Sequence, residues 1–211
     1  MTRILIADDH ALIRAGLKEI LAAQPNMHVI EAQNGQELLR KLATLDIHVI
    51  VLDISMPGRS GLDILKEIKS SFPMIPVLML SVYPEDQYAL RALKAGASGY
   101  LTKDSAPEKL VSAIERVLAG EKYISSSIAN KLISELGLGN INKLPHEDLS
   151  DREFEVLRLI GSGMAVSEIA EKLYLSPKTI STYRSRVLEK TGLKNNAGMI
   201  NYVIEYDLKT E

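Results

Sequence analysis

Within the first 118 residues of this 211-residue chain, short β-branched and aliphatic runs alternate with stretches whose apolar residues recur at helical spacing. The strand-like runs are Ile4-Leu5-Ile6-Ala7, Val29-Ile30, Val49-Ile50-Val51-Leu52, Val77-Leu78-Met79-Leu80 and Ser98-Gly99-Tyr100-Leu101. Helical patterns lie between and after them, at 12–23, 36–45, 62–71, 85–95 and 107–119. Consecutive strands separated by a helix pair in parallel, because a parallel connection needs a long crossover and the helix supplies it. The two central runs are apolar throughout, as strands covered on both faces should be. The expected fold for residues 1–119 is therefore α/β, a doubly wound five-stranded parallel sheet.

Beyond Gly120 the strand pattern stops. Residues 120–147 read as a linker containing one helix, near 128–136, followed by Gly137, Gly139, Asn140, Asn142 and Pro145. From 148 to 211 the pattern is helical only. Ser150-Asp151-Arg152-Glu153 fits a capping box, Gly161 and Gly163 end the helix it opens, and shorter helices follow near 169–173, 179–190 and 197–206. The chain contains no cysteine, which excludes disulfides, thiolate metal sites and a cysteine nucleophile. Its longest apolar runs are of strand length, far short of the ~20 residues of a membrane span, and the N-terminus carries no signal-like segment. A cytoplasmic protein without a membrane partner is expected.

Asp8-Asp9, Asp53, Ser81 and Lys103 each follow or close a strand-like run. In a parallel sheet these positions are carboxyl ends, where ligands bind at a reversal of strand order. Three converging carboxylates repel unless a hard divalent cation sits among them, and oxygen donors suit Mg²⁺, or Mn²⁺. A lysine and a small hydroxyl facing such a carboxylate can neutralise and hydrogen-bond a phosphoryl group built on it.

These residues resemble the receiver domain of a two-component response regulator, a flavodoxin-like fold. Asp8-Asp9, Asp53-Ile54-Ser55-Met56-Pro57-Gly58-Arg59-Ser60-Gly61, Ser81 and Gly99-Tyr100-Leu101-Thr102-Lys103 follow that family's order and spacing. The resemblance implies that Asp53 is the phosphoacceptor and that Asp8, Asp9, Asp53 and the Ser55 backbone carbonyl hold the cation. It further implies that Lys103 binds the phosphoryl oxygens and that Ser81 and Tyr100 form a switch pair. Asp104 stands where many receivers have proline, so a trans Lys103–Asp104 bond is expected.

In the helical part, Ser176 and Pro177 can start a second helix after a short turn, the sequence form of a helix-turn-helix. Ile180, Tyr183, Val187 and Thr191 share one face, while Lys178, Ser181, Thr182, Ser185, Arg186 and Glu189 lie opposite. From Lys172 to Lys194 six basic residues, Lys190 among them, face one acidic residue, a local net of +5 hidden in an overall charge of −2. Such a basic face suits the phosphates and base edges of a major groove. The runs 149–157, 168–173 and 176–183 resemble the small all-α DNA-binding domain of the NarL/FixJ, or LuxR-type, regulators. Many members carry a basic residue where Ser181 stands and histidine where Tyr183 stands. Ala197, Ile200, Val203 and Ile204 supply either a dimer seam on the last helix, as in that family, or core packing.

Together the resemblances imply a bacterial response regulator: a partner sensor histidine kinase phosphorylates Asp53, and the protein then binds double-stranded promoter DNA as a homodimer. RNA polymerase is a further partner the family allows. The chain is expected not to be an enzyme beyond slow self-phosphorylation and self-dephosphorylation at Asp53. Two other classes remain: a constitutive DNA-binding protein whose receiver is a dimerisation scaffold, and a hydrolase of the haloacid-dehalogenase kind. Against the hydrolase, Ser55 occupies the position of its acid–base aspartate.

Overall fold

The alternating pattern closes into a single five-stranded parallel sheet in a computed structural model that describes residues 1–137 and 144–208. The strands are β1 (Thr2–Ala7), β2 (Met27–Ala32), β3 (Val49–Asp53), β4 (Val77–Ser81) and β5 (Gly99–Thr102), in the order β2-β1-β3-β4-β5. Helices α1 (Ala11–Ala22), α2 (Gly35–Thr44), α3 (Gly61–Ser71) and α4 (Glu85–Lys94) make the crossovers, and α5 (Ala106–Leu118) follows β5. They are followed by α6 (Ser126–Gly137), a 3-10 turn at Pro145–Asp148, α7 (Asp151–Gly161), α8 (Val166–Leu173), α9 (Pro177–Thr191) and α10 (Asn196–Glu205). The fold expected from the sequence is the one observed.

The period-2 alternation of each strand divides the core into two layers. Ile4, Ile6, Val49, Val51, Leu78 and Leu80 pack with Leu17 and Leu21 of α1 and Leu110, Ala113, Ile114 and Val117 of α5. Leu5, Ile50, Leu52 and Met79 point to the opposite face, on the side of the buried Leu38 of α2 and Leu62, Leu65 and Ile68 of α3. β1 pairs with β2 on one side and β3 on the other, so the strand order reverses at β1, and this places the loops after β1 and β3 side by side at the carboxyl edge.

The described contacts divide the chain into two compact units, Met1–Gly137 and Leu138–Glu211. The first unit takes in residues beyond the sheet and its five helices, and the reason is local. Gly120 takes a left-handed φ of 84°, its N–H bonds the Val117 carbonyl and the Glu121 N–H bonds the Arg116 carbonyl, a Schellman ending that turns the chain back toward the sheet. Tyr123 then pairs with Gly99 as a parallel bridge at the β5 edge, its N–H donating to Ser98 O (2.9 Å) and its carbonyl accepting from Tyr100 N–H (3.1 Å). Ser125 N–H donates to Glu85 Oε1 at 3.0 Å, and Ile128 of α6 is buried. So 121–128 is a strap on the first unit. The remainder of the expected linker around Gly139, Asn140 and Asn142 lies outside the described residues.

In the second unit, α7 carries the expected capping box: Ser150 Oγ accepts from Glu153 N–H, and Glu153 accepts from Ser150 N–H at 2.8 Å. A Cβ on Gly161 would stand 2.4 Å from Val203, so glycine permits the close approach of α7 and α10. Val203 is thereby core rather than seam, whereas Ala197 and Ile204 of the same helix are exposed.

Candidate phosphoacceptor pocket and nucleic-acid interface

The pocket is built from three strand ends. β1 delivers Asp8 and Asp9, β3 delivers Asp53, and the loop after β5 delivers Lys103. Asp8 and Asp53 are buried, at 0% and 1% exposure. Lys103 Nζ lies 2.7 Å from Asp8 Oδ2 and 3.0 Å from Asp53 Oδ2. Oxygens of Asp8, Asp9 and Asp53 and a ring nitrogen of His10 all fall within 4.8 Å of one another. His10 donates its N–H to Asp8 Oδ1 at 2.8 Å, and its Nδ1 stands 2.9 Å from Asp9 Oδ1. Its membership was not read from the sequence, although its place directly after the acidic pair is the signal that could have shown it.

Electrostatically the pocket is unbalanced. Burial pushes the Asp53 carboxyl up to about 7; the Lys103 ammonium works against this and the Asp8 carboxylate adds to it. Burial alone would lower Lys103, but Asp53 and Asp8 outweigh it and hold the ammonium above its ordinary value. Asp8 Oδ2 and both Asp53 oxygens are buried, and the Lys103 ammonium is the charge that faces them among the ion pairs described. Hard, anionic oxygens held this way fit a divalent cation with oxygen preference. The loop after β3 is equally constrained: a Cβ on Gly61 would lie 2.0 Å from the Asp53 carbonyl oxygen, and Gly61 N–H bonds the Ile54 carbonyl at 2.8 Å. Ser55 Oγ is buried in the same loop without a hydrogen bond.

Ser81 and Tyr100 meet through a third residue. Ser81 Oγ accepts from Tyr83 N–H at 3.0 Å, and the Tyr100 hydroxyl donates to Tyr83 O at 2.8 Å. Both Ser81 and Tyr100 are buried. The peptide bond between Lys103 and Asp104 is trans.

In the second unit, α8 ends at Tyr174 in a left-handed conformation (φ 54°), and Ser176 caps α9 by accepting from Thr179 N–H at 3.1 Å. Ile180 and Val187 are buried, while Lys178, Ser181, Thr182, Ser185 and Arg186 are exposed along the opposite face. Thr182 Oγ1 and Ser185 Oγ donate to the Lys178 and Ser181 carbonyls, both at 3.0 Å, which leaves their lone pairs outward. Lys190 is placed differently from the other five: its Nζ bonds Glu153 Oε2 at 2.7 Å, tying α9 to the start of α7. Burial would raise the Glu153 carboxyl, but Lys190 and Ser150 bring it below its ordinary value.

Two family descriptions match the chain: the response regulator receiver domain over residues 4–115, and bacterial regulatory proteins of the luxR family over 147–203. The chain is 36% identical to the response regulator GacA of Pseudomonas viridiflava, covering 99% of this chain and 98% of GacA. It is also 36% identical to the oxygen regulatory protein NreC of Staphylococcus carnosus, over 98% of each chain. Among solved structures it is similar to RcsB from Salmonella enterica serovar Typhimurium bound to promoter rprA with the phosphomimetic BeF3⁻ (TM-score 0.64, 30% identity, 96% of this chain and 98% of that one). This chain belongs to the NarL/FixJ family of response regulators, with a receiver domain and a LuxR-type DNA-binding domain. That family membership removes the hydrolase alternative. No described helix is long and apolar enough to cross a membrane.

Proposed function

We propose that a partner histidine kinase phosphorylates Asp53 and that this modification controls sequence-specific binding of promoter DNA. One observation carries the reading: a buried carboxylate at the end of β3 with Lys103 Nζ 3.0 Å away and Asp8 and Asp9 beside it. In the transfer, an Asp53 oxygen bonds to phosphorus as the P–N bond of the kinase phosphohistidine breaks, and the electron pair returns to the imidazole, which takes up a proton. Lys103 compensates the charge gathering on the phosphoryl oxygens, the main service an enzyme-like pocket gives this reaction. Asp8, Asp9, Asp53 and the Ser55 carbonyl would hold Mg²⁺ or Mn²⁺, whose chemistry is to neutralise the anionic donor as it enters an acidic site. The protein's own activity is limited to slow self-phosphorylation and self-dephosphorylation at Asp53.

The new phosphoryl group then competes for the Ser81 hydroxyl, and Tyr83 transmits the change because it bonds both Ser81 and Tyr100. The receiver comprises 1–119 with the strap appended to it, and 148–211 forms the DNA-binding domain. Lys178, Ser181, Thr182, Ser185 and Arg186 face the major groove of a site bound by a homodimer, and RNA polymerase is met at the promoter in the cytoplasm. RcsB, similar over nearly its full length, has been solved on promoter DNA with the phosphomimetic, which supports the same order of events here. The test is labelling with radioactive acetyl phosphate and Mg²⁺: the unsubstituted protein labels, and Asp53→Asn does not. Undiminished labelling of Asp53→Asn would place the acceptor elsewhere.

A further inference from the structure

Arg14 is a charged residue on the buried stripe of α1, in series with Leu17 and Leu21. Its side chain is 9% exposed. Placing a guanidinium there is costly unless it makes specific bonds. Its Nη1 donates to the Asp8 backbone carbonyl at 2.8 Å, and its Nε lies 3.4 Å from Glu31 Oε2 on β2. Glu31 is held in turn by Lys18 at 2.9 Å and by Lys41, which donates to its backbone carbonyl. Asp8 N–H donates to Ala32 O at 3.3 Å. The Asp8 peptide is therefore fastened on both sides, and the two carboxylates that follow β1 are aimed from behind.

We propose that Arg14 is a positioning residue of the acidic pocket: acting through the Asp8 carbonyl, it holds the Asp8-Asp9 turn so that both carboxylates face Asp53 and a divalent cation. This role rests on the reading of the pocket given above. The sign of its effect separates it from a plain charge effect. A fixed positive charge close to a cation site repels the cation, so on charge alone removing Arg14 tightens binding. If Arg14 instead positions the turn, removing it loosens two ligands and weakens binding.

The test uses the full chain, Arg14→Met to keep volume without donors, and Arg14→Lys to keep one donor. Mg²⁺ affinity is measured by calorimetry, and thermal unfolding is followed without metal. Positioning predicts a Kd for Mg²⁺ raised on the order of 10-fold in Arg14→Met and less in Arg14→Lys. Labelling from acetyl phosphate then falls at limiting Mg²⁺ and recovers at saturating Mg²⁺. An unchanged or tighter Kd in a folded Arg14→Met protein overturns the proposal, even where unfolding shifts. If Arg14→Met does not fold, Glu31→Gln, which loosens the outer partner of the guanidinium, and Arg14→Lys carry the test, and an unchanged Kd in both overturns it. Mg²⁺ binding without labelling in the unsubstituted protein would remove the phosphoacceptor reading and leave the positioning role standing. No Mg²⁺ binding at all would overturn both.

Discussion

Asp53 is the residue at which function works against stability. Its folded carboxyl titrates near 7 against an ordinary value of 3.8, so between these pH values the folded chain keeps a proton that the unfolded chain has released. Stability from this group is therefore present at low pH and is lost as pH rises toward and past 7. Without divalent metal, Asp53→Asn is expected to raise the melting temperature at pH 8 by on the order of 3 °C and to flatten its fall between pH 5 and 8. A melting temperature unchanged at pH 8 would contradict the buried-charge account. Lys190, expected on the DNA-contacting face, also holds the fold together through its bond to Glu153. Lys190→Ala strips the cation from a Glu153 side chain only 3% exposed and should cost the second unit about 1–3 kcal/mol in denaturant unfolding. The acidic set and Lys103 were legible in the sequence because strand ends converge by topology. Arg14, His10 and the fate of Lys190 were not, because each depends on a partner far away in sequence or on a side-chain direction that spacing does not encode.

Among the elements, the strap is the one that composition hid. Glu121-Lys122-Tyr123-Ile124-Ser125 lacks a strand-like alternation, and the bridge to Gly99 is made by backbone groups that sequence patterns do not report. What places it is the Schellman turn at Gly120 and the missing side chain at Gly99. A Cβ there would stand 2.7 Å from both Tyr123 Cβ and Tyr123 O. Gly99→Ala should therefore lift the strap, cost about 1–3 kcal/mol, and speed hydrogen exchange at the Tyr123 and Tyr100 amides while exchange in β1 and β3 keeps its rank. Unaltered exchange at Tyr123 would show that the strap is held by its side chains. The five strands and their helices were legible because a doubly buried strand and an amphipathic helix each leave a periodic trace of their own.

At the scale of the whole molecule, the proposed function asks one unit to carry a modifiable carboxylate and the other a groove-sized helix face. Arg186 is exposed on that face, so Arg186→Ala should leave unfolding within about 0.5 kcal/mol and reduce the dependence of log affinity on log salt by about one ion. A symmetric pair of such helices calls for two half-sites about 10 base pairs between centres. Charge told of a polyanion partner only locally, since the +5 of 172–194 vanishes in the chain's net −2, and the bases it reads are not encoded in residue type. The most direct measurement of the central claim is selection of random duplex DNA by the full-length protein with Mg²⁺, with and without beryllofluoride, repeated with Asp53→Asn. The account predicts paired half-sites, bound more tightly when beryllofluoride is present, with the gain absent in Asp53→Asn. Equal affinity of the unsubstituted protein in both states would contradict control through Asp53 and make this a constitutive DNA-binding regulator.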